Sequence, residues 1–195
     1  MPVNDEVYIV LTATGTWLSE AIRWVTKAPL SHASLSFDRE LKEVYSFGRK
    51  KLSNPILAGF VQENFNDPFF EDAPCAVYRL RVGERERAKM QLLVHEMKRQ
   101  PDRYRYDLLG LIGVLVRRRI PRENAYFCSH FVASVLERGE CRPVDKPAYF
   151  VTPADFEHAL EAQQIYRGTV SGYLSRFSAT YPASVFGASL ATATA

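Results

Sequence analysis

The first apolar positions of the chain predict a strand followed by a helix. The run VYIVLT, from Val7 to Thr12, is apolar and β-branched, as in a buried strand. Gly15 interrupts the run, and Thr16 can then cap a helix. Apolar side chains recur after this cap at helical spacing, at Trp17, Ala21, Trp24 and Val25. Pro29 is expected to end the helix.

The next segments predict a hairpin and then a loop. Residues 32–37 and 43–47 alternate between apolar and polar positions, and the polar stretch 38–42 separates them, which is typical of a hairpin. Residues 48–74 are repeatedly interrupted by proline and glycine, at Pro55, Gly59, Pro68 and Pro74. This segment is expected to be a long covering loop with one short strand near 59–64.

The second half of the chain reads mainly as helices. After a clearly alternating strand at 75–82, the pattern predicts an amphipathic helix at 84–99, an apolar core helix at 106–118, a helix at 128–138 and a short helix that begins at Thr152-Pro153. Residues 1–175 are therefore expected to form the folded domain. The Ala-, Ser- and Thr-rich residues 176–195 are expected to be a mobile tail.

The order of these elements indicates an α+β fold, with an antiparallel sheet packed against helices. A chain of 195 residues fits one domain. Its hydrophobic fraction of 47% and charged fraction of 24% are ordinary for a globular protein.

Charge and cysteine usage exclude several classes of function. The net charge is only +3 and the basic residues are dispersed, so we expect no binding of nucleic acid. The three cysteines form no CxxC pair, so neither a structural metal, a cofactor nor a disulfide is expected. No apolar run reaches the roughly 18 residues of a membrane span, and no signal peptide is recognisable. The sequence thus predicts a cytoplasmic location, with free thiols.

Cys128 is the first candidate for chemistry. It follows two aromatic residues and opens the apolar-periodic segment CSHFVASVLE. The start of a helix stabilises a thiolate, and its free N–H groups can also stabilise an oxyanion. A small buried thiol that fills space in the core is the alternative.

His32 is the candidate base, since its unperturbed pKa lies near neutrality and it starts the predicted strand HASLSF. A strand-end histidine without a role is the alternative. A third side chain must orient the imidazole, and the second strand of the hairpin offers Ser46 first and Tyr45 second. Either hydroxyl can hold the ring, but neither supplies negative charge.

Several of these segments, in this order, resemble a known superfamily. The segment PLSHASLSF, the later FCSHFV, Tyr106-Asp107 between them and Thr152-Pro153-Ala154-Asp155 after them are similar to the circularly permuted branch of the NlpC-type papain-like proteins. That branch includes YiiX-type proteins and lecithin retinol acyltransferase. The resemblance runs from about residue 5 to about residue 165. It implies a papain-like fold, with the antiparallel sheet open or closed into a small barrel.

The resemblance also implies a reaction through a thioester. Cys128 would attack an amide or ester carbonyl, and His32 would move the proton. Tyr126 and Ser129, which flank Cys128, would contribute to binding the oxyanion or the substrate, although Tyr126 could equally be a packing residue. In this superfamily the third position is often His, Glu, Gln or Asn, and Ser46 departs from that pattern.

Two further features have a structural interpretation beside a functional one. His130 points about 200° around the helix from Cys128, which favours a buried structural role over that of a base or metal ligand. The basic run Arg117, Arg118, Arg119 and Arg122 could hold an anionic lipid headgroup or a substrate carboxylate. It could equally be a solvated helix end.

Three functions therefore remain open. The leading one is a cysteine amidase or peptidase that acts on peptide or cell-wall-like amides. The second is a lipid-directed thioesterase or acyltransferase, for which membrane-surface contact through Arg117, Arg118 and Arg119 would be expected. The third is a catalytically silent binding domain that retains the fold.

Overall fold

The computed structural model describes residues 6–13, 29–51, 54–115, 118–120 and 122–178. Within them the chain forms eight strands: β1 (Glu6–Thr12), β2 (His32–Ser36), β3 (Val44–Lys51), β4 (Asn54–Glu63), β5 (Pro74–Arg81), β6 (Arg105–Tyr106), β7 (Ala125–Tyr126) and β8 (Gln164–Thr169). The helices of this part are α1 (Glu84–Arg99), α2 (Leu108–Leu115), α3 (Cys128–Arg138), α4 (Pro153–Ala159) and α5 (Val170–Ser178).

All eight strands form one open sheet, in the order β7-β6-β4-β3-β2-β1-β5-β8. Neighbouring strands are antiparallel except β6 and β7, which pair in parallel with Tyr106 opposite Tyr126. The α+β class is therefore confirmed, with a mixed rather than purely antiparallel sheet.

The sheet has a hydrophobic core on each face, and strand β1 contributes to both. Val7, Ile9 and Leu11 point into the larger core, whereas Tyr8 and Val10 point into the smaller one. Such a strand is apolar at every position because it is buried on both faces. Helices α1, α3 and α4 cover the larger core and α5 covers the smaller.

Helix α3 packs against β2, β3 and α1, so its first residue lies close to the start of β2. Apolar side chains at helical spacing hold it there, and all of them are buried: Phe131, Val132, Val135 and Leu136. The helix begins and ends as predicted. The hairpin β2–β3, strand β5, helix α1 and the Thr152-capped helix α4 are confirmed as well.

Much of the covering loop predicted for residues 48–74 is strand, and the short strand expected near 59–64 is the last part of β4. Strand β3 continues to Lys51, and β4 pairs along it through ten residues to Glu63. Pro55 is compatible with a strand because it stands next to the first residue of β4, and Gly59 pairs with both Gly48 and Arg105. Two of the four interruptions, Pro55 and Gly59, thus lie within the paired strand β4.

The core helix predicted for residues 106–118 is wrong in its extent and in its burial. Helix α2 covers only Leu108–Leu115, and Leu108, Leu109 and Ile112 are exposed. In the part of the chain that the structure describes, α2 and every other helix are too short or too polar to cross a bilayer. The sequence also failed to predict β8 and α5, which reaches Ser178.

The predicted helix after Gly15 lies outside the described residues, as does the part beyond Ser178 of the tail that was predicted to be mobile.

Removing the Phe131 ring is expected to destabilise the domain. Phe131 is fully buried, with its ring centroid 5.3 Å from that of Phe47 and 5.8 Å from that of Phe60. Phe131→Ala should lower the free energy of unfolding by about 3–5 kcal/mol in urea titrations, because it leaves a cavity. Leu92→Ala, at a position 66% exposed, is the control and should change it by less than about 0.5 kcal/mol. Equal effects would contradict the placement of α3 in the core.

Candidate functional site

Cys128 is the first residue of α3 and is only 4% exposed. Its side chain therefore lies at the positive end of the helix dipole. The backbone N–H groups of Ser129 and Ala33 act on its sulfur and lower the pKa of the thiol. Both contacts stabilise the thiolate over the thiol.

His32 is the first residue of β2, and its imidazole is hydrogen-bonded to the Cys128 side chain. Its Nε2 lies 2.8 Å from Oε1 of Glu63. Because Nε2 is engaged by the carboxylate, Nδ1 is the ring nitrogen left for the sulfur. The three side chains form a row in the order thiol, imidazole and carboxylate.

Glu63 ends β4, and its carboxylate is held by three donors. Besides the imidazole, Ser46 Oγ donates to Oε1 at 2.9 Å and Ser34 Oγ donates to Oε2 at 2.5 Å. Strands β2, β3 and β4 lie side by side in the sheet. Strand β2 supplies His32 and Ser34, β3 supplies Ser46 and β4 supplies the carboxylate. The carboxylate is thus fixed and solvated by protein groups.

Burial and charge compete at each member of the row. Burial alone would lower the pKa of His32, but the Glu63 carboxylate and the hydrogen bond to Cys128 raise it to about 10. Burial would raise the pKa of Cys128, yet the hydrogen bond and charge of His32 and the two N–H groups bring it below its ordinary value. Both shifts favour the ion pair of thiolate and imidazolium over the neutral pair.

The same competition keeps Glu63 ionised. Burial favours the neutral acid, but the charge of His32 and the hydrogen bonds from His32, Ser34 and Ser46 lower the pKa of Glu63.

The structure brings Cys128 and His32 together and replaces the predicted third residue. Ser46 contacts Glu63 rather than the imidazole. Tyr45 is its neighbour on β3 and so points to the opposite face of the sheet, where its ring stacks on Phe60 at 5.9 Å. Neither hydroxyl orients the imidazole directly.

Sequence reasoning missed Glu63 because it predicted only an isolated short strand near 59–64 within a loop, without pairing to the hairpin. The available signal was an acidic residue two positions after the apolar run GFV, on a candidate strand next to the hairpin. Its backbone pairing with Val44 on β3 is what brings the carboxylate to the site.

The aromatic residue beside the sulfur is Tyr106 rather than Tyr126. Burial raises the pKa of Tyr106, and the charges of Cys128 and Asp107 raise it further. The Tyr126 ring packs on Phe47 and His130, with centroids 5.1 Å and 4.7 Å away. Tyr106 is thus a second residue that sequence reasoning did not assign.

Ser129 takes part through its backbone, not through its side chain. Its hydroxyl is buried and donates to the carbonyl of Val151 at 2.6 Å. This bond ties the start of α3 to the segment that leads into α4.

His130 is a packing residue. Its ring is enclosed by Tyr126, Phe127 and Tyr149, and its Nδ1 is buried without a hydrogen bond. Burial and the nearby Arg119 lower the pKa of His130 to about 4, so the ring is neutral at physiological pH. Among the described residues no three histidine, cysteine or acidic side chains are grouped to hold a metal ion.

Comparisons with protein-family models, with curated proteins and with solved structures found no match. The site is therefore interpreted from its own geometry.

The pH dependence of alkylation should separate Cys128 from the other two thiols. Burial raises the pKa of Cys75 to about 12, and it also raises the pKa of the half-buried Cys141. Alkylation of those two by iodoacetamide should fall about tenfold for each unit of pH below neutrality, because their thiolate fraction falls. The rate at Cys128 should stay nearly constant over the same range. Peptide mapping by mass spectrometry measures all three rates, and parallel curves would contradict a thiolate at Cys128.

Glu63→Gln should weaken the thiolate. Without the carboxylate the pKa of His32 falls and that of Cys128 rises, and each unit of rise lowers the alkylation rate at a fixed pH below it about tenfold. Ser46→Ala is the matched control, since it removes one donor to Glu63 and leaves the charge in place. Alkylation rates at pH about 6 should fall far more for Glu63→Gln than for Ser46→Ala. The reverse order would assign the orienting role to Ser46.

Proposed function

We propose that the protein is a cysteine hydrolase that acts through a thioester on Cys128, as an amidase or peptidase. The observation that carries the proposal is the hydrogen-bonded row of Cys128, His32 and Glu63. A nucleophile, a base and a group that orients the base are the components of this type of catalysis. The row also supports the papain-like relationship that the sequence resemblance implies.

In the first step the Cys128 thiolate attacks the amide carbonyl. A carbon–sulfur bond forms while the carbonyl electrons move to the oxygen. The peptide N–H groups at the start of α3, and the Tyr106 hydroxyl on which the charge of Cys128 acts, are the candidate donors to this oxyanion. The carbon–nitrogen bond then breaks, and the imidazolium of His32 gives its proton to the leaving amine.

In the second step neutral His32 removes a proton from water. The hydroxide equivalent attacks the thioester, the carbon–sulfur bond breaks, and the thiolate and imidazolium are restored. Glu63 stays ionised throughout. It holds the ring in one orientation and stabilises its positive charge.

A lipid-directed thioesterase or acyltransferase is the second candidate, and one observation favours it. Helix α2 starts two residues after Tyr106 and exposes Leu108, Leu109 and Ile112. An exposed apolar surface on the helix that follows Tyr106 suits an acyl chain. The third candidate, a catalytically silent binding domain, was based on the lack of a charged residue to orient His32. Glu63 is such a residue, so this argument no longer holds.

A cytoplasmic location remains part of the proposal. All three cysteines are free thiols, which suits a reducing compartment.

Trapping of the acyl-enzyme tests the proposal. The protein is incubated with a panel of peptide amides and a panel of acyl esters, quenched in acid and analysed by mass spectrometry. We expect an acyl adduct on Cys128 from the peptide panel, and its loss in His32→Ala. An adduct from the esters alone would favour the lipid-directed enzyme.

Cys141→Ser is the control variant and should keep the adduct. No adduct from either panel, together with equal reactivity of the three thiols, would contradict the proposed chemistry.

A further inference from the structure

Helix α2 presents an apolar stripe to solvent. Leu108, Leu109 and Ile112 are 42%, 50% and 48% exposed, and their spacing places them on one side of the helix. Among the described residues the other large hydrophobic side chain of this exposure is Leu92, which stands alone on α1. An isolated exposed leucine is ordinary, but three on one helix face are not.

The orientation of α2 is fixed by the protein beneath it. Leu111 is buried on the opposite side of the helix, in a cluster with Phe127 and Tyr149. Asp107 accepts a hydrogen bond from the N–H of Gly110 at 2.8 Å and so caps the start of the helix. The stripe is therefore a stable surface of the folded domain.

A basic segment runs back beside α2, antiparallel to it. The N–H of Arg118 donates to the carbonyl of Gly113 at 2.8 Å, near the end of the helix. Tyr149 then bridges the two: its hydroxyl accepts from the N–H of Ile120 at 3.1 Å and donates to the carbonyl of Gly110 at 3.2 Å. Arg122 lies 3.7 Å from Asp107, at the start of the helix.

Arginines consequently border the apolar stripe along its length. Arg118, Arg119 and Arg122 are exposed, and Arg117 lies outside the described residues. Asp107, the partner of Arg122, is buried. Among the described residues from 107 to 123, Glu123 is the acidic residue that is exposed. The surface is therefore apolar in its middle and positive at its border.

We propose that this surface, formed by Leu108, Leu109 and Ile112 with Arg118, Arg119 and Arg122, docks on an anionic lipid bilayer. The leucine and isoleucine side chains would enter the boundary between headgroups and acyl chains. The guanidinium groups would bind the phosphates of the headgroups.

Charge complementarity selects this occupant. A second copy of the chain would bring a second row of arginines to the same surface, and like charges oppose that contact. A bilayer that contains anionic lipid offers apolar depth and phosphate charge side by side.

The docking surface is tested separately from the chemistry. It depends on no catalytic step, although it adjoins the site through Phe127, which contacts the Leu111 cluster and precedes Cys128. Cys128→Ala should therefore bind vesicles as the unaltered chain does. If catalysis fails and vesicle binding holds, only the proposed function is wrong.

The experiment is co-sedimentation of the full chain with two kinds of vesicle. One contains phosphatidylcholine alone, and the other contains phosphatidylcholine with phosphatidylglycerol. We expect the bound fraction to be much higher on the anionic vesicles and to fall as salt is added. Equal binding to both vesicles, or binding to neither, would overturn the proposal.

Matched variants locate the surface. The double variant Leu109→Asn/Ile112→Asn should lower partitioning about tenfold or more, and Leu92→Asn should leave it unchanged. Arg118→Ala should lower partitioning about fivefold, and Arg99→Ala, at an exposed position on α1, should not. Equal losses in a variant and its control would overturn the assignment.

Sedimentation velocity without lipid tests whether a second copy of the chain binds this surface instead. A dimer of the unaltered chain that the α2 double variant converts to a monomer would make this face a contact between copies and refute the bilayer proposal.

Discussion

The contact between His32 and Glu63 is the interaction on which the rest of the site depends. Burying a carboxylate and an imidazolium costs several kcal/mol each unless they are paired and hydrogen-bonded. Here the carboxylate has three donors and the imidazolium lies between two anionic partners. This arrangement explains why the pKa of His32 is raised while those of its two neighbours are lowered.

The sheet makes this contact possible by placing three strands side by side. The two residues of the pair are separated by 31 positions in the chain, and Cys128 comes from a helix much later. Strand β3 lies between β2 and β4 and contributes Ser46 to the carboxylate. The packing of Phe131 on Phe47 and Phe60 then fixes the helix on these same strands. The core and the site therefore share their supporting elements.

Local patterns predicted the parts of the site whose position is set by nearby residues. Cys128 and His32 were found because a helix start and a strand start can be read from periodicity and capping. Glu63 was missed because its role depends on pairing between β3 and β4, across a segment interrupted by proline and glycine. The burial of α2 was misjudged for a related reason. The apolar composition of a helix does not determine which of its sides packs on the core. In α2 the glycines, Gly110 and Gly113, are buried, whereas Leu108 and Leu109 are exposed.

The segment between Tyr106 and Cys128 contributes both to the candidate site and to the exposed surface of α2. Support of a nucleophile alone would not require that surface. One end of the segment is Cys128 itself, and the other is Tyr106, on which the charge of Cys128 acts. Its middle exposes leucine and isoleucine beside arginines held in place by the Tyr149 hydroxyl. Polar residues at positions 108, 109 and 112 would keep the inward contacts of α2 and avoid an exposed apolar patch. The fold alone therefore does not explain why these three residues are apolar. The proposed docking on a lipid bilayer would explain it.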